Sequence, residues 1–133
     1  MSKFAPCIVA FCLSVSSTAL RGAVPPKAYA VAEINVTDPV TYKQYLAAVT
    51  PIVARFGGRY IVRAGQVVPI EGEAPTGRFV VIEFPNLAIA RRFESSPEYR
   101  AIAPLRQKAA HTRLFLVDGV PGDYSADDEA RGR

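Results

Sequence analysis

Carboxylates and arginines stand singly within apolar runs of this chain, and such groups could carry acid–base chemistry. Glu33 and Glu83 lie in two of these runs, and Arg59 and Arg113 lie in two others. A carboxylate in apolar surroundings can act as a general base, and an arginine can hold an anionic or carbonyl oxygen. The same residues can also form ion pairs that only fix strand register. The pattern therefore predicts either a ligand pocket or a charged structural interface.

Three further residues share the predicted strand face of these charges. Tyr29 and Phe79 have the strand parity of the carboxylates, so we expect them to contact any ligand held there. His111 has the parity of Arg113 and is a further candidate base; an exposed histidine at a strand edge is the alternative. The candidates for catalysis are Glu83, Glu33 and His111, and those for ligand binding are Arg59, Glu83, Tyr29, Arg113 and Phe79.

The composition disfavours several function classes. The net charge is +4, but the 16 basic residues are scattered rather than gathered in a stripe, so we expect no nucleic-acid partner. The chain has one histidine, and its two cysteines, Cys7 and Cys12, lie near the start, so we predict no metal site and no cofactor. Gly57-Gly58 is typical of a helix end rather than a phosphate loop, and the sequence has no Gly-x-Ser-x-Gly elbow.

The first 26 residues are predicted to lie outside the folded domain. A lysine, an apolar run over 4–15 and small residues up to Ala19 are typical of a secretory signal peptide, here 1–19, followed by a linker at 20–26. We therefore expect export, to the periplasm or outside the cell, and no stable membrane insertion after processing. A true start near Lys27 is the alternative, and it would make the protein cytoplasmic. The predicted domain is 27–120, with a disordered tail at 121–133.

Apolar periodicity predicts four strands and two helical segments within this domain. Strands are predicted at 28–36, from 59 to 67 or 68, at 78–84 and at 111–117. Helices are predicted after Asp38-Pro39 and after Asn86, and the second restarts at Ser96-Pro97. The order βαββαβ is typical of ferredoxin-like α+β domains. Right-handed crossovers then predict a four-stranded antiparallel sheet of order 4-1-3-2 with the helices on one face.

The two faces of this predicted sheet differ in character. Parity places the following residues under the helices: Ala30, Ala32, Ile34, Tyr60, Val62, Val80, Ile82, Phe84, Leu114 and Leu116. Tyr42, Tyr45 and Tyr99 recur at helical spacing, and we interpret them as core residues packed on that face.

The opposite face is apolar as well, apart from the charges. Parity gives it Val31, Ile61, Phe79, Val81, Phe115 and Val117, together with Arg63. Such a face needs a cover, and the domain has no further element to supply one, so we predict a homodimer through the sheet face. Antiparallel strand directions put Glu83 with Arg59 at one end of the face. They put Glu33 with Arg113 and His111 at the other.

The chain also resembles a known family over residues 27–119. The matching motifs are Lys27-Ala28-Tyr29, Ala32-Glu33-Ile34, Asp38-Pro39 with Tyr42 and Tyr45, Phe56-Gly57-Gly58-Arg59-Tyr60, Val81-Ile82-Glu83-Phe84-Pro85, Ser96-Pro97-Glu98-Tyr99, Arg106 and Val117-Asp118-Gly119. They resemble the domain-of-unknown-function 1330 family, which often has tryptophan where this chain has Phe93. The resemblance implies a ferredoxin-like fold of the dimeric α/β-barrel superfamily. Similar barrels serve as cofactor-free monooxygenases, isomerases, haem enzymes or binding domains.

The family motif marks four positions of this chain. These are Asp38, Arg59, Glu83 and Tyr99, of which capping accounts for Asp38 and packing for Tyr99. Three functions remain open. The first is a dimer that binds a small, partly apolar or anionic molecule on the sheet face. The alternatives are a cofactor-independent monooxygenase or isomerase with a sheet-face carboxylate as base, and a structural dimer without a ligand.

Overall fold

The computed structural model describes residues 24–122 and 125–132. The predicted signal peptide, its cleavage near Ala19 and most of the linker lie outside these residues and stay predictions. Within the described ranges, no helix is both long enough and apolar enough to cross a membrane.

The described chain folds as an α+β domain with one four-stranded antiparallel sheet. Its elements are β1 (Ala28–Val36), α1 (Pro39–Arg55), β2 (Arg59–Arg63), β3 (Arg78–Phe84), α2 (Leu87–Ser95), α3 (Pro97–Ala109), β4 (Ala110–Asp118) and α4 (Ala126–Ala130). The strand order is β2-β3-β1-β4, which is the predicted order read from the other edge. The predicted α+β class, the strand order and the break between α2 and α3 are confirmed, while the dimeric barrel stays a prediction.

Local capping fixes where the first helix begins and ends. The Asp38 carboxylate accepts hydrogen bonds from the backbone N–H groups of Val40 at 3.1 Å and Thr41 at 3.2 Å. The hydrogen bonds with Thr41 lower the pKa of Asp38, since they favour the charged form. At the other end Gly57 adopts a φ of 69°, the left-handed conformation that stops a helix.

An aromatic cluster forms the centre of the core between the sheet and the helices. The Phe93 ring lies with its centroid 5.1 Å from that of Phe84, 4.6 Å from that of Tyr99 and 5.8 Å from that of Phe56. Phe84 and Phe93 are fully buried. Since this cluster joins β3 to α1, α2 and α3, it holds all three helices on one side of the sheet.

The second strand differs from its prediction in length and in register. It ends at Arg63 rather than at residue 67 or 68, because Ala64 turns the chain with a φ of 54°. The register shifts between Tyr60 and Val62, so Ile61 is an extra, bulged residue. Val62 therefore lies opposite Val81 on the open face, and Arg63 lies opposite Val80 on the helix side. Both were predicted on the other face.

Part of the predicted disordered tail has regular structure. Residues Ala126–Ala130 form the short helix α4. The segment has alanine at both ends and acidic residues between them, and alanine is the best helix former.

Gly58 allows the close approach of the first helix to the third strand. A Cβ at this position would lie 2.7 Å from Val53 Cγ1 and 2.8 Å from Phe84 Cε1. We expect Gly58→Ala to lower the free energy of unfolding by about 1–3 kcal/mol, because these buried neighbours must move. Urea unfolding measures the loss, with Gly65→Ala as the control, since nothing lies within 4 Å of a Cβ there. Equal stability of the two variants would contradict the crowding.

Candidate functional site

One end of the open sheet face carries the first predicted ion pair. Arg59 Nη2 lies 3.2 Å from Glu83 Oε1, and the two residues face each other across β2 and β3. Tyr29 lies opposite Glu83 on the other side, on β1. The predicted grouping of these three residues is therefore confirmed.

The other end carries the second predicted pair. Arg113 Nη1 lies 3.1 Å from Glu33 Oε2 and 3.4 Å from Oε1. Phe79 lies opposite Glu33 in the register of β1 and β3. His111 lies opposite Asn35, two positions along β4 from Arg113, and lines a shallow cleft of about 260 Å³ with both members of the pair. This grouping too is as predicted, while the catalytic and binding roles of its residues stay predictions.

Both pairs share an asymmetry of exposure. The carboxylate side chains are 19% and 17% exposed, whereas the Arg59 and Arg113 side chains are 72% and 75% exposed. Around them Ile61, Phe115 and Val117 expose between 42% and 45% of their surface. The open face of the single chain is thus an apolar surface with mostly buried carboxylates and exposed arginines. This composition is typical of a surface that is buried in an interface.

A different set of polar residues meets on the opposite side of the sheet. A partly open cavity of about 40 Å³ lies between the sheet and the helices. One water needs about 10–15 Å³ of such space, so the cavity has room for a few waters. Its polar lining consists of Tyr42, Tyr45, Tyr60, Arg63, Arg78, Glu94, Tyr99, Arg106 and Thr112.

Arg106 is the most buried cation in this lining. The residue is only 9% exposed. Its Nη2 donates a long hydrogen bond of 3.4 Å to the Tyr99 hydroxyl, and its guanidinium carbon lies 5.9 Å from the Tyr45 ring centroid. Its Nε–H has no hydrogen-bond partner. Arginine cannot lose its proton in a protein, so the cost of burying this charge is not relieved by titration.

Two more donors of the cavity lack a partner. Arg78 Nε and Thr112 Oγ1 are both buried without a hydrogen bond. The Arg78 guanidinium carbon lies 5.7 Å from the Tyr42 ring centroid. Arg63, turned to this side by the bulge, donates to Thr50 Oγ1 at 3.2 Å and stacks 4.3 Å from the Tyr60 ring centroid.

Burial shifts the ionisation of three tyrosines and one glutamate of the lining toward their neutral forms. Desolvation raises the pKa of the Tyr45 phenol strongly and also raises the pKa values of Tyr42 and Tyr60. It raises the pKa of Glu94 as well, although the charge of Arg106 opposes this shift. The lining thus has three arginines, neutral phenols and a single carboxyl, so the cavity is electropositive.

Glu94 gives the protein a testable pH dependence. Its pKa is raised above the ordinary value of 4.5, so the folded state binds this proton more tightly than the unfolded state. Stability contributed by the neutral acid is therefore lost as the pH rises from about 4.5 through the folded pKa. We expect Glu94→Gln to remove this loss and to unfold at higher urea than the wild type at pH 8. At pH 4 the advantage should vanish. Glu73→Gln, on an exposed loop, is the control.

An open cleft adjoins the cavity at the Arg78 end. It has a volume of about 470 Å³ and shares Ile34, Tyr42, Leu46 and Arg78 with the cavity lining. The remaining walls include Val36, Pro39 and Lys43. A molecule of moderate size in this cleft would therefore place one end against Arg78.

The sequence prediction missed the arginines of this cavity. Two of them had a signal: Arg106 lies seven residues after Tyr99 on the same face of α3, and Arg78 has the strand parity of Val80. The third, Arg63, had none, because a bulge moved it. The buried tyrosines are core residues as predicted, but their rings also form the cavity wall. Among the described residues, no cluster of three or more histidine, cysteine or acidic side chains could hold a metal ion.

The comparisons with known proteins agree with the fold. Residues 27–120 match the family described as "Domain of unknown function (DUF1330)". A search of curated proteins found no match.

Several solved structures are similar. One is a protein of unknown function from Rhodopseudomonas palustris, with 18% identity, a TM-score of 0.55 and coverage of 74% of this chain and 86% of that one. A hypothetical Arabidopsis thaliana protein has 12% identity, a TM-score of 0.53 and coverage of 77% and 94%. The cofactor-independent oxygenase SnoaB from Streptomyces nogalater has 14% identity, a TM-score of 0.49 and coverage of 75% and 99%. At these identities the likeness concerns the fold alone.

Proposed function

This chain belongs to the DUF1330 family, and on that premise we propose that it is a small-molecule-binding domain whose site is the cavity between sheet and helices together with its adjoining cleft. The observation that carries the proposal is Arg106, a buried cation whose Nε–H points to no partner. Buried donors are almost always satisfied in folded proteins, and an unsatisfied one needs a reason. A ligand that supplies the missing acceptors is that reason.

The shape of the site also supports ligand binding. Small-molecule sites are usually apolar concavities of about 300–1,000 Å³ with a few converging polar groups. Here the cleft of about 470 Å³ supplies the concavity and Arg78 as a polar group. Arg106 and Thr112 supply further polar groups in the adjoining cavity. This location differs from the sheet face of the original prediction, which stays open as a second location.

We propose further that two copies pair through their open sheet faces. Phe115, Val117 and Ile61 are too exposed for a lone domain in water, and a second copy would bury them. Each end of the face carries one carboxylate and one arginine, so two copies related by a two-fold axis present both signs to each other. In this proposal the interface lies on one side of the sheet and the ligand on the other.

One observation supports the alternative hypothesis that the protein is an enzyme. Glu94 is a carboxyl whose pKa is raised by burial, and it lines the same cavity as Arg106. A general base beside a cation that holds an enolate oxygen suits a cofactor-independent isomerase or monooxygenase. In this alternative Glu94 replaces Glu83 and Glu33 as the base.

Native mass spectrometry of the full chain, purified without denaturation from a cell extract, tests both proposals at once. We expect a dimer that carries a reproducible additional mass, released on denaturation. A ligand-free protein whose thermal stability does not respond to any small molecule in a metabolite screen would overturn the binding proposal. A monomer at micromolar concentration would overturn the dimer.

A further inference from the structure

Three residues that carry an unpartnered donor line the cavity between the sheet and the helices. Arg106 Nε, Arg78 Nε and Thr112 Oγ1 are each inaccessible to solvent and without a hydrogen-bond partner. They come from α3, β3 and β4, so three elements distant in sequence contribute to the lining of one cavity. Arg78 and Thr112 are both paired with Ile34 of β1, so they flank this residue on the two strands next to it.

The charges that line this cavity favour an anion. Arg63, Arg78 and Arg106 line the cavity, whereas Glu94 is its only carboxyl. Even with Glu94 ionised, the lining keeps an excess of two positive charges. The surrounding phenols are held neutral by burial, since the pKa values of Tyr42, Tyr45 and Tyr60 are raised, and they remain hydrogen-bond donors rather than competing anions.

The size of the cavity restricts which anion can enter. About 40 Å³ accommodates a group of a few heavy atoms and excludes an aromatic ring or a sugar. The rest of the ligand must therefore lie in the outer cleft, whose walls are formed by Ile34, Val36, Pro39, Tyr42 and Leu46. These walls are mostly apolar, with Lys43 at the rim.

We propose that the ligand is a monocarboxylate with an apolar body, whose carboxylate is held by Arg78, Arg106 and Thr112 and whose body lies in the cleft beside Tyr42. The inference rests on the proposed binding function and names its ligand class. A carboxylate has two oxygens with about four lone pairs, which suits three donors in the lining of one small cavity. Arginine recognises such planar anions with high geometric preference.

The test uses hexanoate and its neutral isostere hexanamide as probes of the full-length protein. Isothermal titration gives the affinities, and ¹H–¹⁵N spectra of the arginine Nε–H groups report where each probe binds. Each signal is assigned by its absence from the corresponding glutamine variant. We expect hexanoate to bind at least about tenfold more tightly than hexanamide, and to shift the Nε–H signals of both Arg78 and Arg106. A charge-assisted hydrogen bond is worth roughly that factor or more.

Variants separate this site from the open face. Arg78→Gln and Arg106→Gln should each weaken hexanoate binding about tenfold or more. Arg100→Gln, on the exposed side of the same helix as Arg106, should leave the affinity unchanged. Thr112→Val keeps the test valid if Arg106→Gln fails to fold, because it removes a donor with little change of shape.

Four results would overturn the inference. Equal affinity for hexanamide would show a neutral ligand, and would leave the binding function intact. Weakening by Arg59→Gln instead of Arg106→Gln would place the ligand on the open face. Failure of both probes, with a co-purified mass present in the native spectrum, would show a different ligand class. Failure of both probes with a ligand-free spectrum would overturn the proposed function as well.

Discussion

Replacing Arg106 by methionine should make the ligand-free protein more stable and at the same time abolish its binding of carboxylates. We expect the free energy of unfolding to rise by about 1–2 kcal/mol, because a buried charge with an unsatisfied Nε–H is removed and replaced by an apolar side chain of similar length. The affinity for hexanoate should fall by at least about tenfold. Opposite signs of the two effects are the signature of a residue kept for function.

The physical reason lies in the partners of this arginine. It donates a long hydrogen bond of 3.4 Å to Tyr99 and lies near the ring of Tyr45, and its charge acts on Glu94 of the same cavity. Its Nε–H has no partner. Methionine can keep the packing against the rings, while the Tyr99 hydroxyl can turn to water in the cavity. A purely structural arginine would behave differently, since its loss would leave its partners unsatisfied.

Urea unfolding and titration calorimetry on the same preparation measure the two effects. Arg100→Met is the matched control, because Arg100 lies exposed on the same helix, and its stability change should stay within about 0.5 kcal/mol. A loss of several kcal/mol in Arg106→Met together with unchanged hexanoate affinity would show that this arginine serves the fold.

Most of the fold follows from short-range signals in the sequence. Asp38-Pro39 and Gly57 mark the ends of the first helix with side-chain and backbone chemistry that needs no tertiary context. Period-two alternation fixes the faces of β1 and β3, so the ion pairs Glu83–Arg59 and Glu33–Arg113 could be predicted from the sequence. Handedness then leaves few strand orders to consider.

The bulge at Ile61 shows where such reasoning ends. One extra residue in β2 reverses the parity of every later residue of that strand. The apolar and polar side chains from Tyr60 to Arg63 fit a regular strand as well as a bulged one. No local sequence pattern therefore reveals the register shift. The consequence was large, since Arg63 moved from the predicted interface to the cavity wall.

The cavity itself was hidden for a different reason. Arg106 stands on the buried face of α3 and Arg78 on the buried face of β3, and each position alone is compatible with a side chain that reaches out to solvent. The unpartnered state of their Nε–H groups depends on how three elements pack against one another. Periodicity assigns residues to faces, but it does not say how well the faces fit. Gaps of this kind are therefore visible only in three dimensions.

Phe115→Glu should convert the proposed dimer into monomers. Phe115 lies opposite Val31 near the middle of the open face and is 43% exposed in the single chain. In a sheet-to-sheet dimer this ring is buried, and a glutamate in its place would bury a charge without a partner. We expect the dissociation constant to rise by at least about a thousandfold, since such a burial costs several kcal/mol.

Light scattering and native mass spectrometry over a range of concentrations measure the shift. Val40→Glu introduces the same charge at a position that is 73% exposed on α1, away from the sheet face, and should leave the dimer intact. A dimer that persists in Phe115→Glu would place the interface elsewhere.

The monomeric variant also separates the two surfaces of the sheet. Because the cavity and its cleft lie between the sheet and the helices, the monomer should still bind hexanoate with wild-type affinity, whereas a shared site across the interface would lose it.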